Sequence, residues 1–340
     1  MFINYFKDDR RESRFNMAVA RVFIGVMTLL QLLAIDWTVA AEWPVFFHEQ
    51  HPFLIPFDGY LDYLHYEAWL AMAAVISFTL GYRTGLASFL AALLVAHLSG
   101  IYFMIHPSGT IQMFLFDVYL LILFGIYRQT DSLSIDGFRR SARRSRAELN
   151  EALTSVEQSL RLPFFKWLLL AFALTYFFNG AAKVIYGPGT EWATAANIDR
   201  YIQIEQARTN RALPWGDFVI QHDLLGFAAA FLTLVFETGF VVAVALGGPI
   251  TVFAIGLMGM HAGIAVTLTP FFWNHFVVFA LFLPWDCFAR RLESSQQLSV
   301  FYDPTSGRLL QTLMVFRKLD LNGTIDFQPI DRDEGAGESA

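Results

Sequence analysis

One cysteine, Cys287, is the whole thiol inventory of the 340 residues. It excludes an internal disulfide, a CxxC redox pair and a zinc site built on cysteines, so redox work would need a bound cofactor. Charge is scarce as well: Asp, Glu, Lys and Arg make up 16%, where a soluble globular chain carries about 25%. Lys and Arg number 24 against 30 Asp and Glu, for a net charge of −6 with the excess acid largely in the last few residues. A basic nucleic-acid binder is thereby excluded. The chain has no HExxH, no pair of Glu-x-x-His helices, no GxSxG and no phosphate-cradling glycine loop. The usual signatures of zinc proteases, di-iron bundles, serine hydrolases and P-loop enzymes are therefore missing.

What is abundant is apolar. Hydrophobic residues reach 55% and aromatics 16%, and the mean hydropathy is +0.44. A bilayer core about 30 Å thick needs about 20 mainly apolar residues per helix. Eight stretches meet or approach this: 17–39, 66–81, 86–105, 111–127, 163–185, 224–246, 249–268 and 270–285. Pro270 can open the last of them, because a first-turn proline loses no helical hydrogen bond; the alternative is that the last two are one broken helix. No small-residue cleavage site follows the first apolar run, so it reads as a retained span.

Lys and Arg in short loops set the orientation. Lys7, Arg10, Arg11 and Arg14, then Arg83, then Arg139, Arg140, Arg143, Arg144 and Arg146, then Arg290 and Arg291 all fall on one side, while loops 40–65 and 106–110 contain neither residue type. Both termini are expected in the cytoplasm. Residues 141–162, with Leu149, Leu153, Val156 and Leu160 three or four apart among charges, read as an amphipathic helix on the cytoplasmic surface. The aromatic, proline-bearing loop 40–65 reads as an interfacial cap. The expected class is thus an all-α polytopic membrane protein of about eight transmembrane helices with interfacial helices and a small cytoplasmic α/β tail. Its parts are a transmembrane domain over 1–292 with an outer loop over 186–223, a tail over 293–330 and a disordered acidic tip over 331–340.

A charge at mid-span costs about 2.5–3.5 kcal/mol on insertion scales, so ionisable residues there mark places to look for function. Asp36, His97, Lys183, His261 and His275 fall in the middle or outer half of their spans, Asp117 and Glu237 near the middle, and Arg21 toward the cytoplasmic end. Converging faces would line an outward-facing polar pocket. Arg21, four residues into its span, is expected to snorkel to the inner headgroups, and Asp36 to sit at the interface. Asp117 and Glu237 can pair with a cation on another helix or act chemically. Each histidine alone reads as a neutral packing residue; three in one bundle open a ligand role. Lys183 is the sharpest residue. Held in apolar surroundings, its amine can lose its proton near neutrality and act as a general base; on position alone, snorkelling comes slightly first.

Residues 176–184 (YFFNGAAKV), followed by Trp192, resemble a segment of the vitamin K-dependent gamma-carboxylase and its bacterial relatives, the horizontally transferred transmembrane domain family. Residues 21–25 (RVFIG), 80–83 (LGYR), 133–137 (LSIDG), 236–239 (FETG) and Met260–His261 agree in order, and the resemblance covers about residues 15–290. It implies a bacterial inner (plasma) membrane and a quinone or quinol cofactor that a lysine deprotonates. Oxygenation then yields a strong base that removes a carbon-bound proton before carbon dioxide is taken up. Lys183 falls on that lysine, with Glu237 and His261 shaping its protonation and His97, His275, Asn179 and Trp192 near the cofactor. No metal is implied. The carboxylase histidine just upstream of Ser-x-Asp-Gly has no counterpart in residues 127–133, and its large substrate-gripping extracytoplasmic region is lacking.

Residues 300–330 resemble the start of a DCC thiol-disulfide oxidoreductase-like domain, with Ser306 and Leu309 at the cysteine positions of its CxxC. Without a thiolate there is no exchange chemistry, so residues 298–330 are expected to form a redox-dead strand, helix and strand. Two functions follow. One is an enzyme using a membrane quinol, with Lys183 as base. The other is a non-catalytic subunit whose surfaces bind the lipid bilayer and a partner membrane complex.

Overall fold

The computed structural model describes residues 11–42, 55–105, 112–127, 133–154, 159–161, 163–185, 189–268, 275, 278, 283, 285–292, 297–320 and 324–330. The helices follow in chain order: α1 (Arg14–Leu33), α2 (Leu64–Thr79), α3 (Thr84–Ile105), α4 (Gln112–Tyr127), α5 (Ile135–Arg143), α6 (Arg146–Thr154), α7 (Pro163–Ile185), α8 (Ala195–Thr209), α9 (Pro214–Ile220), α10 (Asp223–Leu246), α11 (Ile250–Leu268) and α12 (Trp285–Leu292). Strand β1 (Leu298–Tyr302), helix α13 (Gly307–Leu319) and strand β2 (Ile325–Pro329) complete the chain. Four helical segments are long and apolar enough to cross a membrane: Phe15–Leu33, Thr84–Tyr102, Asp223–Leu246 and Ile250–Leu268. Shorter apolar helices cover Phe116–Ile126 and Leu169–Ile185. The protein is mostly helical and membrane-embedded. Most of the expected span 270–285 and the tip 331–340 lie outside the described residues, as do residues 43–54 of the interfacial cap.

Contacts divide the chain into two units, one of Met1–Arg11 and Arg161–Leu283, the other of Glu12–Leu160 and Pro284–Ala340. In the second unit, α1 ends at Leu33, six residues before the expected Val39. Trp37 Nε1 donates to the Leu32 carbonyl at 2.9 Å, which satisfies one of the acceptors a helix end leaves over. The Asp36 carboxylate accepts from Thr38 N at 3.0 Å and starts a 3-10 turn over Trp37–Glu42. Helix α2 has 16 residues, about 24 Å at 1.5 Å per residue, which is short of a 30 Å core.

Arg21 does not snorkel. It is wholly buried in α1, donating Nη1 to the carbonyls of Phe78, at 2.9 Å, and Thr79, and Nη2 to the carbonyl of Leu133. A buried guanidinium is drawn there because the C-terminal end of α2 presents carbonyls without intrahelical partners and the negative end of its dipole. Gly81 follows with φ +67°, and a Cβ there would lie 2.4 Å from Ser134 Cβ and 2.7 Å from Arg21 Nη1. The segments around Gly81 and Ser134 run together, with Ile135 N donating to Leu80 O and Asp136 N to Gly81 O at 2.9 Å. Asp136 in turn accepts from Arg83 N at 2.9 Å and Thr84 N at 2.8 Å, capping α3, and Ser134 Oγ accepts from Gly137 N at 2.9 Å, capping α5. Three short sequence marks, 21–25, 80–83 and 133–137, thus interlock at one place. Asp117, also buried, has Thr28 and Gln31 of α1 among its hydrogen-bond partners.

The amphipathic helix expected over 141–162 is interrupted: α5 ends at Arg143, α6 covers Arg146–Thr154 and residues 159–161 form a short strand, while residues 155–158, with Val156, lie outside the described residues. Arg144 is extended, and Ser145 and Glu148 start α6 by exchanging hydrogen bonds, Ser145 N to Glu148 Oε2 at 2.8 Å and Glu148 N to Ser145 Oγ at 3.3 Å. Leu149 and Leu153 are buried in one core with Tyr302, Leu310, Leu313, Met314 and Phe327 of the tail. Strand, helix and strand of that tail follow in the expected order, β1 pairing parallel with β2 from Leu298↔Ile325 to Tyr302↔Pro329. Ser306, at a cysteine position of the resemblance, caps α13 by accepting from Leu309 N. The first unit packs α7 through α11, with α10 lying against α7, α8 and α11.

Candidate functional site

Helix α7 carries Tyr176, Gly180 and Lys183 at spacings of four and three, one stripe of its surface. Gly180 lets α10 approach closely, since a Cβ there would lie 2.8 Å from Thr238 Cγ2 and 3.1 Å from Glu237 Cβ. The approach brings Glu237 to Lys183. Lys183 Nζ donates to both carboxylate oxygens, to Oε2 at 2.5 Å and more closely to Oε1. The Lys183 side chain is 27% exposed and that of Glu237 6%, so the amine turns inward to an acid and the snorkelling reading is corrected. The Trp192 ring, buried, faces the ammonium with its centroid 5.1 Å from Nζ, a distance at which the ring quadrupole attracts a cation.

At the other end of the stripe, Tyr176 Oη and His261 Nε2 share a hydrogen bond of 2.8 Å. His261 of α11 and His275 tilt against each other with ring centroids 4.1 Å apart, and Tyr176 meets His275 edge-on at 5.8 Å. Phe240 closes the apolar side, edge-on to Tyr176. All of Tyr176, Glu237, His261 and His275 are buried. Lys183, Glu237, His261, His275 and Trp192 of the expected site therefore belong to one unit and one neighbourhood.

Asn179 is turned away from this neighbourhood, and His97 belongs to the other unit. Asn179 is exposed: at 100° per residue it is turned about 60° from Tyr176, off the stripe that faces α10. The Nδ1 of His97 lies 2.8 Å from Glu67 Oε1. Tyr60 donates its hydroxyl to the second oxygen of Glu67 and meets the His97 ring edge-on at 5.8 Å. Burial, then the Glu67 hydrogen bond and charge, push the Tyr60 phenol well up from its ordinary value. Sequence reasoning passed over Tyr176 and Glu67. Tyr176 announces itself by its spacing of seven from Lys183, which is two helical turns. Glu67 announces itself as an acid one turn into an apolar helix.

Chemically, the arrangement holds a paired ammonium and carboxylate beside a run of hydrogen-bonding aromatic rings. It can keep a proton on Nζ and accept one at the carboxylate. Among the described residues, no group of three or more His, Cys, Asp or Glu side chains is placed to hold a metal ion. Comparison with protein-family models, with curated proteins and with solved structures finds no match to this chain.

Proposed function

We propose that this is an inner-membrane protein of about eight spans with both termini cytoplasmic. In this reading it is akin to the horizontally transferred transmembrane domain family and binds a quinone or quinol between Lys183–Glu237 and the Tyr176–His261–His275 rings. The observation that carries the reading is the two-point pairing of Lys183 with the nearly inaccessible Glu237, beside the rings of Tyr176, His261 and His275, which meet edge-on or tilted. The donor set fits a quinone or quinol, because a ring bearing hydroxyl or carbonyl oxygens needs a proton donor or acceptor at its edge. A bound quinol supplies an acidic hydroxyl. Glu237 takes the ammonium proton from Lys183, leaving a neutral amine at Nζ. That amine accepts the hydroxyl proton, and Trp192 steadies the ammonium that forms.

A two-point ion pair is also what a clamp between α7 and α10 would look like, and this supports the second reading, a non-catalytic subunit of a membrane complex. One experiment separates them. The purified protein is titrated with a short-chain ubiquinol analogue while Trp fluorescence is followed, for the native chain and for Lys183→Met and Glu237→Gln. The enzyme reading expects saturable binding that each substitution weakens at least ten-fold. Equal binding by all three, together with a clear loss of stability in Lys183→Met and in Glu237→Gln, would leave only the clamp.

A further inference from the structure

In the second unit, just before α3, two arginines share one aromatic ring. The guanidinium of Arg139, on α5, lies 4.8 Å from the Tyr82 centroid and that of Arg83 lies 5.9 Å from it. Both arginines are exposed, and Arg83 holds a left-handed backbone, φ +45°, a conformation costly for a residue with a Cβ. Arg143 stands one helical turn beyond Arg139 on the same face of α5 and is exposed as well. Two like charges drawn to one ring repel each other until an anion sits between them, and arginine forks match phosphate oxygens in pairs. The nearby carboxylate is already committed: Asp136 accepts from the Arg83 and Thr84 backbone and from Thr84 Oγ1 and has the Arg140 charge beside it.

The surroundings identify the source of the phosphate. Arg83 immediately precedes α3, whose segment Thr84–Tyr102 is membrane-capable, so the ring and its arginines stand where headgroups begin. Leu133, Ile135 and Phe138 are exposed beside them, Phe138 at 49%, an apolar flank that free phosphate would not use. In a chain of net charge −6, this local surplus of cations complements an anionic surface. We propose that Arg83, Arg139 and Arg143, around Tyr82, bind the phosphate of an anionic phospholipid headgroup, with Leu133, Ile135 and Phe138 against its acyl chains.

Native mass spectrometry of the full chain tests this in detergent containing equal amounts of phosphatidylglycerol and phosphatidylcholine. The native protein should retain phosphatidylglycerol in preference, and Arg139→Gln and Arg143→Gln should each reduce that preference about five-fold. Arg200→Gln, which removes an exposed arginine of the other unit, should leave it unchanged. Equal retention of the two lipids by the native protein overturns the proposal, as does an unchanged preference in the Arg139→Gln/Arg143→Gln double variant. The native measurement stands even if a variant fails to fold. Displacement of the lipid by millimolar inorganic phosphate would assign the arginines to a soluble phosphate instead and overturn the lipid assignment.

Discussion

Replacing Arg21 by Met tests whether a buried cation ties three chain segments together. Methionine keeps much of the volume and removes the guanidinium. The Phe78 carbonyl keeps a donor, because Gly81 N also bonds it at 2.9 Å. The carbonyls of Thr79 and Leu133, both part-buried, lose the Arg21 bonds described above, and a hydrogen bond to a charged group contributes about 1.5–3 kcal/mol. Two such bonds, partly offset by the apolar gain of Met, give a net loss of about 3 kcal/mol. At about 2–4 °C per kcal/mol for a unit of this size, the melting midpoint should fall by about 6–12 °C. The assay is helical circular dichroism of detergent-solubilised protein at one fixed scan rate, since membrane proteins often unfold irreversibly. Arg21→Lys should fall between, because an ammonium keeps the charge without the fork. A Met variant melting within about a degree of the native protein would show that the buried guanidinium contributes nothing net, and the interlocking of the three segments would need another cause.

Two further outcomes follow from the same unit. Burial by itself would raise the Asp136 carboxyl, but hydrogen bonds from Thr84 N, Arg83 N and Thr84 Oγ1, with the Arg140 charge, outweigh it and hold the group below its ordinary range. A depressed folded value means the stabilisation is present above about pH 4, near the unfolded value, and is lost as pH falls through the lower folded value. Melting midpoints from pH 7 to pH 3 should therefore show an acid-side loss in the native protein that Asp136→Asn lacks; parallel curves would refute this. Leu153→Ala removes buried apolar volume from the core shared with the tail and should cost about 2–5 kcal/mol. Hydrogen exchange should then speed up across Leu298–Tyr302 and Ile325–Pro329, and unchanged protection there would show that α6 does not hold the tail.

The helices themselves could be read from the sequence because each depends on local hydrophobicity, and α3, α4, α7, α10 and α11 begin and end within two residues of expectation. What failed were readings that need a partner distant in sequence. Arg21 lies near a span end, where snorkelling is the local answer, and only the α2 carbonyls 57 and 58 residues later reverse it. Leu149 and Leu153 were recognised as an apolar stripe, yet a stripe does not say whether lipid or another domain covers it. The break at Arg144 was legible after all, since Ser145 and Glu148 stand at the spacing of a capping box. The site was half visible. Lys183, Glu237 and the two histidines were singled out by their cost in a membrane, but the pairing of the first two required Gly180 to admit α10.

The shared core of α6 and the tail has a biosynthetic meaning. The chain leaves this unit at Leu160 and returns to it only at Pro284, so every residue of the other unit is translated before β1 emerges. Until then, Leu149 and Leu153 stand uncovered at the ribosome and must be shielded by something else. A stop codon or a bulky fusion placed just after α12 would make that temporary state permanent, and would turn a harmless-looking trim of the C-terminus into a sticky, poorly expressed protein.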